Sequence, residues 1–113
     1  MDQTTVEYHA VAKTSDLGED DVIPVTVGKL DIALYNVAGE YFATDGICTH
    51  EYVGLSDGWV EGEVIECPLH GGCFNIKTGK ALKAPTTVDL KTYPVKVEGD
   101  TVYIGIAPGE ERC

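Results

Sequence analysis

The chain has 113 residues, 43% hydrophobic and 24% charged, with 13 Gly and 5 Pro, the balance of one turn-rich globular domain and not of a disordered segment. A formal net charge of −11 argues against nucleic acid or an anionic membrane surface as a partner. Met1-Asp2-Gln3-Thr4-Thr5 lacks the basic start and apolar run of a signal peptide, and no window is long enough to span a bilayer, so a soluble cytoplasmic protein is expected.

In chain order, Ser15-Asp16-Leu17 predicts one short helical turn, and no segment keeps a helical period over three turns. Residues 22–27 are rich in β-branched side chains and predict a strand. Gly28-Lys29 then turns the chain into a second strand over 30–35, and Ala38-Gly39 turns it into a third over 40–44. From Gly46 to about Pro85, short apolar pieces such as Val64-Ile65 are broken by Asp57-Gly58, Gly71-Gly72 and Thr78-Gly79, a pattern expected to present loops rather than build a core. Near the end, strands over 93–97 and 101–106 flank Glu98-Gly99-Asp100, a tight hairpin signal. Val102, Ile104 and Ile106 share one face of the last strand, the expected core face. The expectation is an all-β domain over 1–113. An antiparallel base is made by 1–45 and 86–113, with a loop-rich, metal-carrying subdomain, 46–85, inserted into it.

The chemistry concentrates in two blocks, Cys48-Thr49-His50 and Cys67-Pro68-Leu69-His70. Each offers a thiolate and an imidazole close enough to grip one metal centre from one loop. Four cysteines in a cytosolic chain argue for metal or redox chemistry more than for a disulfide framework. Cys73 and Cys113 are left over; a bridge between them is one reading, and separate thiols are the reading that a reducing compartment favours. One reading puts Cys48, His50, Cys67 and His70 tetrahedrally around a single zinc in an interaction module, although Cys-x-His departs from the usual Cys-x-x-Cys spacing. Colour separates the alternatives, because zinc is colourless and an oxidised iron–sulfur protein is red-brown.

Cys-Thr-His and Cys-Pro-Leu-His-Gly together resemble the binding signature of Rieske-type [2Fe–2S] proteins. The resemblance implies that Cys48 and Cys67 hold one iron of a single cluster while His50 and His70 hold the other. Two thiolates, two neutral imidazoles and two sulfides leave the oxidised centre formally neutral. Reduction is then easier than for an all-thiolate cluster, and Rieske potentials span about −150 to +300 mV against about −400 mV for plant-type ferredoxins. The resemblance covers nearly the whole chain and implies a Rieske-like antiparallel β-sandwich base. High-potential respiratory members carry an extra Cys in each ligand loop, where this chain has Val53 and Leu69, and cluster-facing hydroxyls, where it has Gly72 and Phe74. Those absences imply a potential near the bottom of the range.

Asp-Ile-Ala-Leu-Tyr-Asn-Val (31–37), Leu-Ser-Asp-Gly (55–58) and Thr-Gly-Lys-Ala-Leu (78–82) are further similar to stretches common in ferredoxin components of bacterial ring-hydroxylating dioxygenase systems. One departure is Cys73, where that group usually carries a polar or basic residue; it is read as a neutral replacement beside the cluster. No Gly-rich loop for NAD or FAD is present, and His9 alone does not make a mononuclear iron site, so neither nucleotide reduction nor oxygen activation is expected here. The resemblance implies a one-electron carrier, not an enzyme and with no small-molecule substrate, between a flavin-dependent ferredoxin reductase and a terminal oxygenase of aromatic ring hydroxylation. A small Rieske-like subunit of another redox enzyme, such as nitrite reductase, is the alternative. The expected contact tip is His50, His70, Glu51, Val53, Leu69 and Pro85, and Trp59 is read as a core or strand-face aromatic rather than a relay. Between Lys29 and Lys77 there is no Lys or Arg, but Asp31, Glu40, Asp45, Glu51, Asp57, Glu61, Glu63 and Glu66 are there, which serves solubility or steers a basic partner.

Overall fold

A computed structural model of the chain describes residues 6–47, 54–67, 72–83 and 89–107. Strand β1 (Glu7–Lys13) leads through a 3₁₀ turn, Thr14–Asp16, to β2 (Asp21–Val27), β3 (Leu30–Val37) and β4 (Glu40–Asp45). The helical turn, the strands β2 to β4 and both connecting turns lie where the sequence predicts them. The second connection has consecutive left-handed residues, Ala38 at φ +52° and Gly39 at φ +92°, the twist that suits a two-residue hairpin. Asn36 Oδ1 accepts the Gly39 N–H at 2.9 Å and fastens it.

Strands β5 (Trp59–Glu61), β6 (Val64–Glu66), β7 (Cys73–Asn75) and β8 (Ala81–Lys83) form one antiparallel sheet in that order. The chain then returns through β9 (Thr92–Tyr93), β10 (Val95–Glu98) and β11 (Thr101–Ile106). The predicted strand over 93–97 is in fact divided at Pro94. Tyr93 pairs with Ala43 in the sheet β2-β3-β4-β9, whereas Val95 pairs with Ile104 in the sheet β1-β11-β10. Proline has no N–H for a ladder, so the chain changes sheets there, while the Pro94 carbonyl accepts the Gly105 N–H at 2.8 Å. Strand β1 has no counterpart in the sequence reading. It buries little of either face and is held mainly by its pairing with β11, from Glu7↔Ile106 to Lys13↔Thr101 across a bulge.

Strand β3 is buried on both faces. Ile32 and Leu34 enter a core with Leu17, Val27, Ala43, Tyr93, Val102, Ile104 and Ile106. Ala33, Tyr35 and Val37 enter a second core with Leu55, Ile65, Cys67, Phe74, Ile76 and Leu90. The expected core face of β11 is borne out, since Val102, Ile104 and Ile106 are all buried. Full burial of each such side chain is worth about 1.5–3 kcal/mol. The expectation that the middle of the chain presents loops instead of building a core is corrected. Ile65 and Phe74 are fully buried there, and Val60 and Ala81 pack against the same cluster. Each strand is three residues long and sends little more than one side chain inward, too short a run for alternation to show. The all-β expectation holds.

Candidate metal centre

Of the four candidate ligands, Cys67 lies among the described residues. Cys48, His50 and His70 lie outside them, as do the tip residues Glu51, Val53, Leu69 and Pro85, and Cys113. The stems that carry the two blocks are described. Before Cys48, Ile47 forms an antiparallel bridge with Gly54, and the Leu55 N–H donates to the Gly46 carbonyl at 2.8 Å. After Cys67, its own N–H donates to the carbonyl of Gly72 at 2.7 Å. Backbone contacts therefore bring together the described residues on either side of each block.

Gly58 brings the stems together. A Cβ there would lie 2.1 Å from the carbonyl oxygen of Glu66, so only a hydrogen fits. Its φ of −90° suits any residue, which makes space alone the requirement. The chain leaving the first loop is thereby pressed against the residue before Cys67, and Trp59 follows by pairing with Glu66. A third stem flanks residues 84–88. Gly79, at φ +78°, abuts the Leu90 carbonyl and accepts the Leu90 N–H at 2.7 Å, while Asp89 Oδ1 accepts the Ala81 N–H at 2.8 Å.

The first stem is also tied to the base by a network that the sequence reading missed. Tyr93 donates its hydroxyl to Asp45 Oδ1 at 2.6 Å, and the Asp45 N–H donates to the Lys91 carbonyl at 2.9 Å. Thr44 Oγ1 donates to the Asp45 carbonyl at 2.8 Å, which leaves Tyr35 to donate its hydroxyl to Thr44 Oγ1 at 2.8 Å. Burial pushes the Tyr35 phenol well above the ordinary tyrosine range; Thr44 opposes this and the Asp45 charge adds to it. Burial also raises Tyr93, helped by its bond to Asp45 and by that carboxylate's charge. Asp45 sits inside the acid-rich run read for charge; only its spacing from Cys48 hinted at a structural part.

Cys67 is fully buried among Leu55, Ile65 and Phe74. A thiolate in such surroundings needs a compensating cation, and ligation to a metal supplies one, so the donor fits a metal centre. Among the described residues no group of three or more His, Cys, Asp or Glu is placed to hold a metal. Gly72 and Phe74 are both buried and bring no hydroxyl. Cys73 is half-buried on β7, in register with Glu66. Trp59 is 59% exposed on its strand face, and His9 is half-buried on β1. Part of the acidic run is compensated locally, since Lys77 Nζ lies 3.3 Å from Glu63 and 3.9 Å from Glu40.

An all-β frame whose closed stems flank two Cys-and-His blocks in the sequence is the mark of one class. Residues 7–94 match the Rieske [2Fe-2S] domain, and the chain belongs to that family. It is 50% identical over 103 residues to the ferredoxin component of the naphthalene 1,2-dioxygenase system of Pseudomonas putida, covering 91% of this chain and 99% of that relative. Among solved structures it resembles the Sphingomonas yanoikuyae B1 ferredoxin, with a TM-score of 0.84, 39% identity and coverage of 88% and 99% of the two chains. It also resembles a chain in the complex of reduced oxygenase and oxidized ferredoxin in carbazole 1,9a-dioxygenase, with a TM-score of 0.82, 38% identity and coverage of 87% and 92%. The cofactor is one Rieske-type [2Fe–2S] cluster, and the protein is an electron carrier rather than an oxygenase. The zinc and nitrite-reductase alternatives are not favoured. When bound, the cluster supplies reversible one-electron reduction.

Proposed function

We propose that Cys48 and Cys67 ligate one iron and His50 and His70 the other, and that the chain passes single electrons from a flavin-dependent ferredoxin reductase to a terminal Rieske oxygenase acting on an aromatic substrate. The observation that carries this is the closure of both loop stems side by side, with Gly58 against Glu66. That packing supports reading the two blocks as one site, since the chain segments next to them meet there. Residues 46–85 are then the cluster-binding part and 1–45 with 86–113 the base. Leu55, Ile65 and Phe74 exclude water behind Cys67. The names of the relatives, ferredoxin components of naphthalene and other aromatic dioxygenase systems, support the oxygenase as acceptor. No helix among the described residues is long and apolar enough to cross a membrane, and the cytoplasm is the proposed place of action. Gly72 and Phe74, without hydroxyls, support a low potential.

The test is an anaerobic preparation assayed for iron, acid-labile sulfide and the EPR signal after dithionite. Iron and sulfide in equal amounts, with a midpoint that falls toward the all-thiolate value in His70→Cys, support the ligand set. An unchanged midpoint in that variant removes His70 from it, and one tightly held zinc without sulfide overturns the whole reading. Electron delivery to the oxygenase of a naphthalene 1,2-dioxygenase system, mediated by this chain, tests the role.

A further inference from the structure

Resting on the carrier reading above, we propose that the outer face of the β5–β8 sheet docks an arginine-bearing segment of a redox partner, with Trp59 as its aromatic platform. In these short strands Val60, Ile65 and Phe74 turn inward. Trp59, Glu61, Val64, Glu66 and Cys73 alternate with these and, together with Val60, line a groove of about 310 Å³. Trp59 is the chain's one tryptophan, and 59% of it is exposed. Register places Trp59, Glu66, Cys73 and Lys83 in one row across the sheet. Glu66 directly precedes Cys67, so the row passes one residue from a proposed ligand, close enough for a partner seated there to approach the cluster.

The protein's own cations show what this ring lacks. Lys77 lies 5.5 Å from the Phe42 ring centre, Lys91 lies 5.4 Å from Tyr93, and Lys96 lies 4.5 Å from Tyr8. Indole offers the best π-face of all, yet among the described residues no cation covers Trp59. Two carboxylates, Glu61 and Glu66, flank it, and no basic side chain is among the residues lining the groove. Lys77 compensates Glu63 and Glu40, but among the described residues no ion pair engages Glu61 or Glu66. A flat guanidinium can stack on the indole while its N–H fork reaches a carboxylate, which an ammonium does less well. A second copy of this chain is a poor occupant, because a net charge of −11 and two glutamates in the groove repel their own image.

The test uses the cluster-loaded protein with the reductase and the terminal oxygenase of a naphthalene 1,2-dioxygenase system as probes, in stopped-flow at subsaturating partner. Trp59→Ala is expected to lower the second-order rate with at least one of them by about fivefold, the effect of one lost cation–π contact. Its visible spectrum, midpoint potential and reduction by dithionite should be those of the wild type. Trp59→Phe should restore most of the rate, and Glu61→Gln should lower it while flattening its fall with ionic strength. Trp59→Ala rates equal to wild type with both partners overturn the docking assignment alone. A wild-type protein that exchanges electrons with neither overturns the carrier reading with it. Self-association that Trp59→Ala abolishes overturns it in favour of a second copy.

Discussion

On one face of β3, Ile32 and Leu34 meet the long strands of the base; on the other, Ala33, Tyr35 and Val37 meet strands of three residues. The base core is bounded by continuous ladders, such as β2 with β3 over seven registered pairs. The second core has at most three pairs per ladder and relies on single closures, Leu55 to Gly46, Cys67 to Gly72 and Leu90 to Gly79. Backbone regularity holds one region, and side-chain packing with close glycine contacts holds the other. Damage should therefore reach the metal centre from one side of β3 much sooner than from the other.

The sharpest way to break that contrast is to remove equal volumes from the two cores. Ile65→Ala and Ile104→Ala should each cost about 2–5 kcal/mol. Ile65→Ala should also lose iron and broaden the EPR signal at temperatures where Ile104→Ala keeps both. Equal loss in the two at equal extents of unfolding, followed by circular dichroism, means that the cores melt as one. Gly58→Ala comes next, at about 1–3 kcal/mol of overpacking, with iron content falling before the far-ultraviolet spectrum changes. Full iron loading with an unaltered melting temperature removes Gly58 from the account of the stems.

Alkaline pH probes where the regions join, through Tyr35 and Tyr93. Both phenols are raised when folded, so their contribution is complete below the ordinary tyrosine value of about 10 and is lost as pH rises from there toward the folded values. Thermal midpoints should drop above that pH, and less steeply in Tyr35→Phe with Tyr93→Phe; parallel curves exclude the phenols as the cause. The smallest change is Ala38→Asn. Its turn needs a left-handed residue that Asn tolerates and Ala does not, so stability should rise by about 0.5–1 kcal/mol with the iron content unchanged. A lower midpoint would mean that Asn36 and Gly39 already fix the turn and the new side chain disturbs them.

The base was largely legible because its strands are long enough to display their period. Val102, Ile104 and Ile106 declare a face, and Ala38-Gly39 and Gly28-Lys29 declare turns. Strand β1 was not legible, since Glu7–Lys13 has little apolar pattern and owes its conformation to β11, far away in sequence. Pro94 was seen inside a strand signal, but a change of sheet depends on which partners wait on each side. The β5–β8 sheet escaped notice because three-residue strands carry no period. The candidate site was legible as chemistry in Cys48, His50, Cys67 and His70. Its supports were not, because Gly58, Asp45 and Tyr93 matter through contacts that only the folded chain brings about.

The change of sheet at Pro94 ties the two layers of the base by an unbroken covalent thread. A pull on either layer is handed to the other through one peptide unit, so neither can peel off while its neighbour stays in place. Amide hydrogens of β9 and β10 should then exchange in the same slow phase.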